Sequence, residues 1–328
     1  MDQQFFLAAN SGQGFYSLYD GFPAEPQFLH IIKGGPGTGK SGFMKAIRRA
    51  VQERGMDTVS ILCSGDPDSL DGLSVPALGQ AWVDGTAPHV REPKLFGVDA
   101  DYVNLGHLCR LPLDVRDRER ARALNRAYKE RYKAAYQKLA AAASLEKAEE
   151  LHDAAVMQEE IERLREILDA LPEHMDESAH RKHDLDYKSE KRFISAISCR
   201  GELRLDETVN LLCKQNYYFR GGSAVLAQAA AWAEQKAEYV ICCPRPLRPG
   251  QLEAVLLPEQ GIGFHRTPAP LAVPLGERAS SRAALQEGIE ELREAKALHD
   301  KLESVYKGYM DFDALTAYTD EYVENLFR

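Results

Sequence analysis

The stretch Phe28-Leu29-His30-Ile31-Ile32-Lys33-Gly34-Gly35-Pro36-Gly37-Thr38-Gly39-Lys40-Ser41 decides the fold. Its opening apolar run, Phe28 to Ile32, predicts a short buried strand. Beyond Ser41, the apolar residues Phe43, Met44, Ile47 and Val51 lie on one helical face. Strand, glycine-rich loop and helix therefore come in the order a P-loop requires, with Gly39-Lys40-Ser41 in the right frame. The glycines let the loop curl with its amide N–H groups inward, an anion nest at the positive end of a helix. Lys40 adds a movable positive charge for the β- and γ-phosphates, and Ser41 offers a hydroxyl to magnesium. Gly34, Gly35, Pro36, Gly37, Thr38, Gly39, Lys40 and Ser41 are thus the expected contacts of a nucleoside triphosphate with Mg2+. No Asn-Lys-x-Asp guanine-reading segment occurs, which favours ATP.

A P-loop site also needs a carboxylate on the metal side, usually at the end of a neighbouring strand. Two strand candidates follow the helix, Thr58 to Cys63 and Gln80 to Val83. The second runs into Asp84-Gly85-Thr86, so Asp84 is the expected partner of Ser41 at the metal; the competing reading is that Asp84 only starts a turn. Between the strands lies Ser64-Gly65-Asp66-Pro67-Asp68-Ser69-Leu70-Asp71-Gly72. Its acids, Asp68 and Asp71 foremost, are candidates to orient a water or accept a hydroxyl proton beside Lys40 and Asp84. The same residues are turn formers, and a solvated turn is the alternative.

The chain echoes itself. Phe6-Leu7-Ala8-Ala9-Asn10-Ser11 returns as Phe193-Ile194-Ser195-Ala196-Ile197-Ser198, an offset of 187 (193 − 6), which also carries Gly14 onto Gly201 and Ile32-Lys33-Gly34-Gly35 onto Phe219-Arg220-Gly221-Gly222. Ser41 then matches Ser223 at an offset of 182 (223 − 41), so Pro36 to Lys40 have no counterpart. Asp84 falls on Arg266, and the acidic run becomes Pro244-Arg245-Pro246-Leu247-Arg248-Pro249. This predicts a second copy that keeps the strands but has lost loop, lysine, metal-side acid and acid cluster. Arg245, Arg248 and Arg266 read either as a decayed basic surface or as an arginine finger reaching the γ-phosphate.

From Val115 to about Leu171 the chain is rich in helix formers, with Leu124, Tyr128, Tyr132 and Tyr136 four apart. The alanine run before Ser144 predicts a turn and so an antiparallel helical hairpin, either a solvated structure or an arm for a protein partner. His174, His180 and His183 sit in a polar stretch that reads as a linker, and the tail from Leu285 reads as helices covering either half. A net charge of −9 argues against a broad nucleic-acid surface. The chain lacks a secretory signal and a membrane-length apolar run, and none of its six cysteines has Cys-x-x-Cys spacing. Cytoplasm is the expected location, without membrane contact, disulfide or cysteine-bound metal.

The segments Gly14-Phe15-Tyr16-Ser17-Leu18-Tyr19-Asp20, Lys33 to Ser41, Asp68-Ser69-Leu70-Asp71-Gly72, Val83-Asp84-Gly85-Thr86-Ala87-Pro88-His89 and Met310-Asp311-Phe312-Asp313 together resemble a poorly characterised family of bacterial tandem P-loop ATPase-like proteins. The resemblance implies two P-loop modules and ATP binding, with the second loop deleted here. The expected fold is α/β: two P-loop NTPase-like modules with mostly parallel sheets and an inserted helical hairpin. The expected division is 1–114 for the active module, 115–190 for hairpin and linker, and 191–328 for the degenerate module with C-terminal helices. Three functions fit: a slow Mg-dependent ATPase, a kinase for a small molecule or nucleotide, and a non-catalytic ATP sensor. Gly85 stands where a motor-like hydrolase would carry glutamate, which keeps the last two in play.

Overall fold

The computed structural model describes all residues except 24–26, 89, 150–153, 172–188, 221, 237 and 268–274. The histidines at 174, 180 and 183 therefore lie outside the described residues.

The N-terminal half begins with β1 (Asp2–Phe6) and a hairpin of β2 (Ala8–Ser11) and β3 (Gly14–Ser17). Then come β4 (Phe28–Lys33), helix α1 (Lys40–Gln52), β5 (Thr58–Leu62), β6 (Leu70–Val75), β7 (Gln80–Asp84) and β8 (Ala100–Asn104). The six longer strands form one sheet in the order β1-β5-β6-β7-β4-β8. It is mixed rather than mostly parallel: β6 runs antiparallel to both β5 and β7, while β1/β5, β4/β7 and β4/β8 are parallel. Connection length is the cause. Residues 63–69 and 76–79 are too short for a parallel crossover, which needs a dozen or more residues, so the chain must turn straight back. The acidic run is thus only partly a loop, and Asp71 sits inside β6.

Two long helices follow. Helix α2 (Val115–Glu149) continues unbroken through the alanine run, and α3 (Ala154–Asp169) comes after it. Alanine is the best helix former, so a run of it extends a helix rather than turning it. The antiparallel partner of α2 is instead the distant α6 (Leu275–Lys307). Tyr128 faces His299, Arg131 pairs with Glu291 at 3.0 Å, and Lys138 meets Glu287, an antiparallel sequence of contacts. The expected hairpin within 115–171 is therefore replaced by a long-range helix pair. Helix α3 packs through Leu164 and Leu168 onto the second half.

The second half contains β9 (Ser189–Lys191), the hairpin β10 (Ser195–Ser198) and β11 (Gly201–Arg204), the short α4 (Asp206–Leu212), and β12 (Gln215–Phe219). Helix α5 (Gly222–Gln235), β13 (Val240–Pro244), β14 (Leu252–Leu257), β15 (Ile262–Arg266), α6 and α7 (Phe312–Asn325) complete it. Its sheet order, β9-β13-β14-β15-β12, follows that of β1-β5-β6-β7-β4 strand for strand, with no counterpart of β8 among the described residues. The registers agree as well: Asp2 pairs with Thr58 and Ser189 with Val240; Gly72 pairs with Val83 and Ala254 with His265. Even the turns match. Leu70 N donates to Ser41 Oγ at 2.9 Å and Leu252 N to Ser223 Oγ at 2.8 Å.

The halves meet at Phe6 and Phe193, whose backbones exchange two 2.9 Å hydrogen bonds. Their sheets bury one shared core that includes Phe5, Ile31 and Ile61 from the first half and Ile194, Ile241 and Leu256 from the second. The outer face of the first sheet is covered by α1 and α7, that of the second by α5 and α3. No described helix is long and apolar enough to cross a membrane.

Candidate functional site

The glycine-rich loop connects β4 to α1 where the sequence places it. Its glycines meet specific demands. Gly37 and Gly39 have φ of +71° and +88°, the left-handed region that side chains disfavour. A Cβ on Gly34 would lie 2.5 Å from Thr38 Oγ1, so this position admits no side chain. The buried Thr38 hydroxyl donates to Gly35 O at 2.8 Å and holds the curl. Lys40 folds back into the loop, donating to Gly34 O at 3.0 Å and Gly35 O at 2.9 Å.

Asp84 ends β7, where it closes a turn and also faces Lys40. One oxygen, Oδ1, accepts from Thr86 N at 2.9 Å and Thr86 Oγ1 at 2.5 Å, closing a turn. The other, Oδ2, lies 3.6 Å from Lys40 Nζ. Burial pushes the Asp84 carboxyl above its usual range; Lys40 and the two Thr86 hydrogen bonds oppose that shift, and Asp71 adds to it. Asp71 belongs here because β6 and β7 are antiparallel: one step beyond the Gly72–Val83 pair, it stands across from Asp84. It is buried, and Tyr19 Oη donates to it at 3.3 Å. Ser41, at the start of α1, accepts the Leu70 amide and so ties β6 to the loop.

Lys40, Ser41, Asp71 and Asp84 thus come together, whereas Asp68 does not join them. Its exposed carboxylate pairs with Arg200 from the second half, and its carbonyl accepts from Lys45. Sequence spacing could not separate Asp68 from Asp71: one is a turn residue facing solvent, the other a strand residue facing inward.

The C-terminal helices also reach the loop. The carbonyl of Glu303 and the ring of Tyr306 on α6 lie against Gly37 and Gly35, and Leu315 on α7 lies against Gly39. On the same face of α6, Lys296 reaches Asp66 at 3.4 Å, and His299 Nδ1 lies 3.5 Å from Glu303. Residues 296, 299, 303 and 306 are spaced three, four and three apart, one helical stripe. That stripe is readable in the sequence, but which half it covers is not.

In the second half, β12 leads straight into α5, which begins at Gly222. A Cβ on Gly222 would lie 3.6 Å from Nε of Arg266, which stands at the end of β15 as Asp84 does at the end of β7. Arg245 and Arg248 turn to Glu146 on α2, at 2.5 and 3.7 Å, not to the first half's loop. The acid cluster is not wholly lost either: Glu253 occupies in β14 the place Asp71 has in β6, and Ser195 Oγ donates to it at 2.6 Å.

Among the described residues no group of three His, Cys, Asp or Glu side chains is arranged to hold a metal by itself. A P-loop magnesium asks less of the protein, one hydroxyl and nearby carboxylates, with phosphate and water completing its shell. Ser41 and Asp84 fit that need. No family model matches the chain, and neither a curated protein nor a solved structure matches it.

Proposed function

We propose that this chain binds ATP with Mg2+ at residues 34–41 and hydrolyses it slowly, as an α/β protein with one active and one silent P-loop module. A left-handed glycine loop between β4 and α1 holds Lys40 inside it, 3.6 Å from the half-buried Asp84. That single arrangement carries the reading. The loop amides at the start of α1 form a site for phosphate oxygens. Lys40, released from the carbonyls of Gly34 and Gly35, supplies a positive charge to the same oxygens. Ser41 and Asp84 would hold the magnesium, which when bound neutralises charge developing on the phosphates. Asp71, across from Asp84, is placed to accept a proton from the attacking water. The silent half follows from the matched strand orders: we take the two halves as copies of one ancestral module, the second having lost Pro36 to Lys40 and exchanged Asp84 for Arg266. This agrees with the tandem P-loop resemblance.

The test is calorimetric ATP titration with Mg2+ plus measured phosphate release, on the parent, Lys40→Ala and Asp84→Ala. The expected result is binding weakened roughly 10- to 100-fold by Lys40→Ala, the loss of charge-assisted bonds, and release abolished by both changes. Tight binding with no release would replace hydrolysis by transfer or sensing. ATP affinity unaffected by Lys40→Ala would overturn the site itself.

A further inference from the structure

A second cavity, of about 330 Å³, opens in the silent half. It lies between the β10–β11 hairpin, the turn after β13 and the helices α2 and α6. Its walls carry Arg204, Arg245 and Arg282 together with Glu253, which stands where Asp71 does in the first half. Arg245 donates to Gln251 Oε1 at 2.8 Å and to Glu146 Oε1 at 2.5 Å. Arg204 lies beside it, held by Asp206 at 2.7 Å and His265 at 3.1 Å. Arg282 stands at the exposed mouth, paired with Glu202 at 2.6 Å.

Glu146 carries the argument. It reaches down from α2 into this arginine cradle, yet only one of its oxygens is satisfied. The other is buried without a hydrogen bond, in an ion pair 3.7 Å from Arg248. A buried carboxylate oxygen left in that condition is costly, and a better-fitting anion would relieve it. Guanidinium groups bind carboxylates in two-pronged fashion and need no metal to do so. The open volume beside the pair exceeds what one side-chain carboxylate fills.

We propose that this cavity is a binding site for a small carboxylate-bearing metabolite, gripped by Arg245 and its neighbours, with the Glu146 carboxylate as the internal group it displaces. The proposal does not depend on ATP chemistry in the first half. It accounts for the basic run Arg245 to Arg248, which the triphosphate site leaves unused. Helices α2 and α6 wall this cavity and also bring Tyr128 and His299 together.

Citrate is the probe, titrated calorimetrically without nucleotide or magnesium into the full chain. The expected result is saturable one-to-one binding that Glu146→Gln tightens and Arg245→Gln weakens, each by roughly tenfold or more, with Lys40→Ala unchanged. Opposite shifts from two neighbours are not what general destabilisation produces, and Glu146→Gln retains a decisive arm even where Arg245→Gln folds poorly. No saturable citrate binding to either the parent or Glu146→Gln overturns the proposal, as does binding lost with Lys40→Ala. Inorganic phosphate bound in preference to citrate with the same variant pattern overturns the carboxylate assignment.

Discussion

Replacing Gly37 by alanine tests how the glycine-rich loop is held. In the motif G-x-x-x-x-G-K-[ST] this position is free, so the motif alone predicts tolerance. The structure predicts otherwise, for two reasons. Gly37 has φ +71°, and forcing an L-residue into that region costs about 1–2 kcal/mol. The new Cβ would also lie 2.8 Å from the Glu303 carbonyl oxygen and 3.1 Å from its Cβ, so α6 must shift. Overpacking of this kind costs about 1–3 kcal/mol. Together the loss is roughly 2–5 kcal/mol, a fall in melting temperature of about 3–7 °C for a chain of this size. Gly42→Ala is the control: it sits in α1 with nothing within 4 Å of the added Cβ, and should stabilise by up to about 1 kcal/mol. Calorimetric melting of parent and both variants decides the matter. Gly37→Ala melting with the parent would mean that α6 is not seated on the loop, and the covered phosphate site would have to be abandoned.

Two groups of the second half should give opposite pH dependences. Burial pushes Glu253 from 4.5 up to about 7, so the stability it contributes is complete below 4.5 and lost as pH rises toward 7. Burial and Arg204 push His265 from 6.5 down to about 4, so its contribution is complete above 6.5 and lost as pH falls toward 4. Each shift corresponds to about 3 kcal/mol, and between pH 4.5 and 6.5 they largely cancel. Urea midpoints from pH 4.5 to 6.5 should therefore rise with pH for Glu253→Gln and fall for His265→Asn; slopes of the same sign would refute both assignments. Tyr322→Phe removes the acceptor, at 3.0 Å, of the buried Trp82 indole N–H and should cost about 1–3 kcal/mol in urea unfolding. No loss would mean α7 is not docked on the first sheet. Gly288→Val places a side chain 2.9 Å from Leu139 at the closest approach of α2 and α6 and should lower the melting temperature by several degrees; an unchanged melt would deny that pairing.

The sequence by itself determined the local units. The strand–loop–helix at residues 28–51 and the strands at 58–63 and 80–83 follow from short-range periodicity and glycine chemistry, which act over a few residues; the structure ends those strands at Leu62 and Asp84. The sequence placed Lys40 and Ser41 in one loop because the motif's geometry is itself local, whereas Asp84 reaches Lys40 only through the parallel pairing of β4 with β7. What it left open were questions of direction and partner. Asp71 and Asp68 look alike in a turn-rich run, and only the antiparallel return of β6 turns one inward beside Asp84 and leaves the other on Arg200. The alanine run suggested a break, but its helix continues because α6, some 150 residues away in the chain, offers a continuous face to pack on. The covering of the loop by Glu303, Tyr306 and Leu315, and the cradle around Glu146, were likewise decided by tertiary structure alone. A helical stripe shows that a face will be buried, but what buries it depends on how the whole chain minimises exposed apolar surface and unpaired charge.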